Sequence, residues 1–213
     1  MSTPTSSRTS TWVGIALGIV ILGLLAAFSI ALPEANGDED STDAVIDLSL
    51  PDTLPGGYTA SDDAKAFAGG QLAAQADDIA KQESANHTYG NNVLPDVLGT
   101  SASTRTYVAN GTDAVFVQVF QSTGGAFAPN SIPDPANTGG QAATEMKAVG
   151  DGACILSYGQ ATAQGQAPPI AFSQCQVTSG ELTVQIGSSK VTAEDLVSVA
   201  DDLLTDLTED QDQ

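Results

Sequence analysis

Basic residues, cysteine and histidine are all scarce in this 213-residue chain, and each scarcity excludes a class of function. Six Lys and Arg against 26 Asp and Glu give a net charge of −20, which repels phosphate backbones and leaves no basic patch for a nucleic acid. Two Cys are too few for a disulfide-dense secreted scaffold or a four-cysteine zinc site. Any histidine-based triad would have to use His87, the single histidine. It stands in the polar run Glu83-Ser84-Ala85-Asn86-His87, where a solvent-facing side chain after a helix is expected. No Gly-x-Ser-x-Gly elbow, phosphate loop, dinucleotide fingerprint or His-Glu-x-x-His helix occurs. The pairs Asp62-Asp63 and Asp77-Asp78 are sequence neighbours on an expected helix, so their side chains diverge and read as solvation. No catalytic residue, metal ligand or cofactor is assigned, and a non-enzyme is the favoured reading.

What the chain does hold is a strong segregation of apolar and acidic residues. Trp12 to Leu32 runs 21 residues without a charge. At about 1.5 Å per residue a helix over it is roughly 31 Å long, matching a hydrocarbon core of about 30 Å. Arg8 precedes this run and the next basic residue is Lys65, a bias that places the N-terminus in the cytoplasm and the remainder outside. Gly14 and Gly18 form a GxxxG pair through which two such helices could pack into a homodimer. The competing reading is a signal peptide cleaved after Ser29-Ile30-Ala31, which would release a soluble ligand-binding protein.

The acids all follow this run: seven lie in 34–52, eleven in 53–193 and eight in 194–213. Segment 34–52 holds no basic residue and has the composition of a solvated spacer. Asp38, Asp40 and Asp43 lack the spacing of a calcium loop. The expected organisation is a cytoplasmic 1–11, a transmembrane helix 12–32, an acidic linker 33–52, an extracytoplasmic domain 53–208 and an acidic tail 209–213.

Within that domain, Ala64, Phe67, Ala68, Leu72, Ala76 and Ile79 recur at helical spacing and predict a helix over 61–84. The pattern then changes to period two. Asn110-Gly111 between Arg105–Ala109 and Ala114–Phe120 predicts a hairpin, since both residues tolerate positive φ. Residues 114–121 are apolar at nearly every position, which predicts cover on part of both faces. The stretch 122–152 has no clear period beyond one short helix at 141–148, and Phe127 and Ile132 within it are candidate partner contacts or loop pins.

Strands are expected again at Ala153–Tyr158, Ile170–Thr178 and Glu181–Ile186. Pairing the first two antiparallel sets Cys154 opposite Cys175, Ile155 opposite Gln174 and Tyr158 opposite Ala171, a register in which a disulfide fits. A last helix begins at Thr192. The fold class is therefore α+β, a mainly antiparallel sheet of about five strands flanked by an N-terminal and a C-terminal helix.

The Ala-, Gly-, Thr- and Asp-rich, Lys-poor composition resembles that of envelope proteins of high-GC Gram-positive bacteria. The functional expectation is a single-pass, membrane-anchored extracytoplasmic binding or accessory module of the bacterial cell envelope. It would act on an envelope protein or small ligand through its sheet face or the 122–152 loop. The alternatives are an envelope hydrolase with carboxylate-based chemistry and the secreted ligand-binding protein.

Overall fold

Asn110 and Gly111 both hold positive φ, 53° and 71°, and close the tight turn that the Asn-Gly pair predicts. The strands they join, β3 (Ala102–Ala109) and β4 (Asp113–Gln121), pair antiparallel from Ala102↔Phe120 to Ala109↔Asp113. The computed structural model describes residues 48–125, 127–129, 131–132, 144–160 and 168–211. All of them lie in the unit Val45–Gln213.

The sheet has eight strands, all neighbours antiparallel, in the order β1-β2-β3-β4-β8-β7-β6-β5. Besides β3 and β4 these are β1 (Thr53–Leu54), β2 (Tyr58–Ala60), β5 (Thr144–Val149), β6 (Gly152–Tyr158), β7 (Ile170–Ser179) and β8 (Leu182–Ser188). The expected sheet of about five strands is thus corrected to eight. The additions are β1, β2 and β5, and β5 replaces the short helix at 141–148 over its described part. Gly180 at φ 57° makes the β7–β8 turn.

Two α-helices complete the domain: α1 (Ala76–Leu98) and α2 (Ala193–Gln211). The helix expected over 61–84 is displaced. Its first half folds as two 3-10 turns, Ala64–Phe67 and Ala73–Gln75, and α1 then continues to a left-handed Gly99 with Pro95 inside it. At the interruption, Gly70 packs against the backbone of Gly111. A Cβ on Gly111 would come within 2.9 Å of Gly70 Cα, so the hairpin turn meets the chain at the interruption backbone to backbone.

One face of the sheet carries the core. Val115, Val117 and Val119 of β4, Ile186 and Val184 of β8, Cys175 and Val177 of β7 and Leu156 of β6 meet Leu196, Ala200, Leu203 and Leu207 of α2. Thr192 caps this helix, its Oγ1 accepting from the Asp195 amide at 3.2 Å. Truncating a side chain as buried as Leu203 would cost about 3 kcal/mol. A second, smaller cluster of Ala66, Phe67 and Val108 sits under the 3-10 turns, and α1 closes the free edge of β3, where Asn91 Oδ1 accepts from the Thr104 amide at 2.7 Å.

The membrane expectations do not survive. Among the described residues no helix is long and apolar enough to cross a membrane. α1 carries Asp77, Asp78, Lys81, Glu83 and Asp96, and α2 is amphipathic with acids along its outer side. The segment 12–32, with Gly14 and Gly18, lies outside the described residues, as does the spacer up to residue 47. The transmembrane helix as part of the fold, the membrane as partner, the single-pass topology and cell-membrane location, and the anchored module built on them are therefore withdrawn.

Candidate functional site

β6 and β7 pair with Cys154 opposite Cys175 and Ile155 opposite Gln174, as the expected register has it, and a bulge at Ser157/Tyr158 shifts Tyr158 to Ile170 instead of Ala171. Cys154 and Cys175 form a disulfide with Cα atoms 4.0 Å apart. Both are fully buried, so the bridge braces the sheet and presents no accessible sulfur. Of the two loop residues singled out in the sequence, Phe127 is buried and Ile132 is 63% exposed.

His87 is not the solvent-facing residue expected. Its Nδ1 lies 3.0 Å from Asp62 Oδ2, and both side chains are largely shielded. The same carboxylate is held by Arg105, whose Nη2 and Nε donate to Oδ1 and Oδ2 at 2.9 and 3.2 Å. Arg105 Nη1 also donates to the carbonyls of Leu50 and Pro51, and the Tyr107 hydroxyl donates to Pro51 at 2.8 Å. Desolvation pulls the Arg105 pKa down, but the carboxylates of Asp62 and Asp52 outweigh it and hold the value above the ordinary one. This cluster clamps the chain at 50–52 and α1 onto β3. Both Asp62 oxygens are engaged, Oδ1 by Arg105 and Oδ2 by Arg105 and His87, and the geometry is that of a brace. Among the described residues no group of three or more His, Cys, Asp or Glu is arranged to hold a metal.

The face of the sheet opposite α2 has a different character. Directly paired residues share a face, as do alternate residues along a strand. Gln118, Gln185 and Gln176 therefore form one row across β4, β8 and β7, and Gln185 Nε2 donates to Gln176 Oε1 at 3.1 Å. The next row runs Phe116, Gly187, Gln174, Ile155 and Met146. Phe120 flanks the first row. Phe172 lies over Gly187, where a Cβ would come within 2.8 Å of its Cζ; the glycine leaves room for the ring beside Phe116. Phe116 is 45% exposed and Met146 37%, while the four glutamines are half-buried. Not one Asp, Glu, Lys or Arg stands on this face of β4 to β8, in a chain of net charge −20.

The chain matches no protein-family model, no curated protein and no solved structure. Geometry alone therefore ranks the surfaces. The sequence contained the glutamines and phenylalanines of the open face, but nothing in one strand shows that they align. Gln118 and Gln176 are far apart in the chain and become near neighbours only through β8.

Proposed function

We propose that this domain is a binding module without catalytic chemistry, which holds a neutral, hydroxyl-rich chain, a glycan, against the open face of its sheet. The observation that carries the reading is the uncharged array of Gln118, Gln185, Gln176 and Gln174 flanked by Phe116, Phe120 and Phe172. A cationic ligand would call for carboxylates there, and the face has none. An anionic ligand would meet the repulsion of a strongly acidic chain. Each glutamine amide offers both a donor and an acceptor, the combination that a sugar hydroxyl pairs with, and exposed aromatic rings provide flat apolar contact for the C–H faces of a sugar. The Cys154–Cys175 disulfide supports work in an oxidising compartment.

Affinity electrophoresis through gels containing neutral polysaccharides, with an acidic polysaccharide as control, tests this. Retardation is expected in a neutral gel, with Phe116→Ala and Gln185→Ala each weakening it about tenfold. Migration unchanged by any neutral polymer overturns the reading, as does retardation that both variants preserve. Sedimentation that shows a concentration-dependent dimer dissolved by Phe116→Glu would instead assign the face to a second copy of the chain.

A further inference from the structure

We propose that the free edge of β5 is a self-complementary surface that pairs antiparallel with β5 of a second copy of this chain, about a two-fold axis at Met146. The two ends of the sheet differ. At one end the edge strand β1 has only two residues, and Asn91 of α1 takes the Thr104 amide of β3 beyond it. At the other end β5 is six residues long, and Glu145 to Ala148 are all exposed. Such an edge offers a row of unpaired amides and carbonyls to another strand.

The register fixes which groups those are. Val149 and Gly152 flank the two-residue turn Gly150-Asp151 and so exchange hydrogen bonds with each other. Bonding alternates from there: Lys147 and Glu145 turn their backbone groups to β6, while Ala148, Met146 and Thr144 turn theirs outward. The next strand pair agrees. Cys154 and Cys175, with Cα atoms 4.0 Å apart, have the close spacing of a non-hydrogen-bonded pair, so Cys154 directs its backbone groups to Lys147 on the other side. Among the described residues the outward backbone groups of Thr144, Met146 and Ala148 have no backbone partner.

Charge then selects one alignment of β5 on its copy. An axis at Met146 sets Thr144 opposite Ala148 and Met146 opposite Met146, so every outward group is used. It also sets Glu145 opposite Lys147 of the copy, twice, at the closely spaced positions where side chains meet. Moving the axis one residue, to Glu145 or Lys147, puts like charges opposite each other. Moving it two residues runs half of the strand past the end of its copy. A lysine on an edge strand ordinarily keeps other strands away, but here the two-fold meets it with a carboxylate. Glu194 already lies 3.3 Å from Lys147 at an exposed position, which leaves the ammonium free to face both acids. The repulsion of two acidic chains opposes the pairing, and physiological salt screens it beyond about 8 Å. Met146 meets its copy on the uncharged face, so the row through Phe116 and Ile155 runs on across both subunits. The pairing stands whether or not that face takes a glycan.

The test is sedimentation equilibrium of the full-length, disulfide-intact chain at physiological salt. A concentration-dependent dimer is expected, with amide exchange at Thr144, Met146 and Ala148 slowing as the dimer fills. Glu145→Lys and Lys147→Glu should each weaken it about tenfold, since each sets like charges opposite at both symmetric positions. Mixing the two variants should restore a dimer of one with the other, because both positions then hold opposite charges. Met146→Pro should abolish the dimer and leave the fold intact, since the amide it removes faces outward. A chain that stays monomeric, or a dimer that survives both charge reversals, overturns the proposal. So does a mixture that fails to recover. A dimer that Phe116→Glu dissolves and the changes in β5 do not belongs to the sheet face and overturns the edge.

Discussion

Asp62 engages Arg105 with both carboxylate oxygens, at 2.9 and 3.2 Å, while each side chain is only about an eighth exposed: 13% and 12%. Forty-three residues separate them, so the pair fastens the turn after β2 to the middle of β3. Arg105 could not shed its charge if the carboxylate were removed. Asp62→Ala is expected to destabilise the domain by about 2 to 4 kcal/mol, read as a lowered urea midpoint. Asp52→Ala, whose side chain is 91% exposed, should cost well under 1 kcal/mol.

Tyr107 stacks its ring 5.9 Å from the same guanidinium and is fully buried. Burial raises its pKa above the ordinary 10.0 against the opposing pull of Arg105. In the folded state the proton is therefore held to higher pH than in the unfolded chain. Its contribution is complete below the unfolded value and is lost as pH rises from there toward the folded one, with a slope of up to about 1.4 kcal/mol per pH unit. Tyr107→Phe should be less stable by about 1 kcal/mol at neutral pH, where the bond to Pro51 is lost. That deficit should shrink or reverse near pH 11, which denaturant melts at the two pH values would show.

The Cys154–Cys175 bridge closes a loop of sequence separation 21 between two fully buried sulfurs. A Cys154→Ala, Cys175→Ala double variant should lose about 3 kcal/mol in the chain-entropy description. A thiol reductant added to the native protein should leave the bond intact until the domain opens, so reduction should accelerate with urea. Rapid reduction without denaturant would contradict the burial.

The five long strands were legible because each carries its own period and each hairpin its own turn, Asn110-Gly111 and Ser179-Gly180. β1 and β2 have two and three residues, too few for any period to show. β5 reads Thr-Glu-Met-Lys-Ala-Val at a sheet edge with most of its residues exposed, so no apolar alternation marks it as a strand. The open face was hidden for the opposite reason. β4 is apolar on both sides, which predicts burial of both, yet Phe116 faces outward beside glutamines contributed by other strands. His87 could not be placed from sequence because its partner Asp62 belongs to a turn that only the interrupted helix creates.

That interruption is itself testable. Gly70 and Gly111 approach so closely that a Cβ on Gly111 would lie 2.9 Å from Gly70 Cα and 3.0 Å from its nitrogen, all rigid backbone. Gly111 also has φ of 71°, where an alanine is strained regardless of space. Both penalties act in the folded state, so Gly111→Ala should destabilise by about 2 to 4 kcal/mol. Gly69, one residue before the contact, has open space for 4 Å around the position a Cβ would take, and no positive φ. Gly69→Ala should therefore leave stability unchanged or raise it by up to about 1 kcal/mol through the unfolded chain. Thermal melts of the two variants distinguish a packing contact from a general need for flexibility in the Gly69-Gly70 pair. If flexibility were the reason for the break, both substitutions would be harmful; if close packing against the hairpin turn is, only the change at the contact will be.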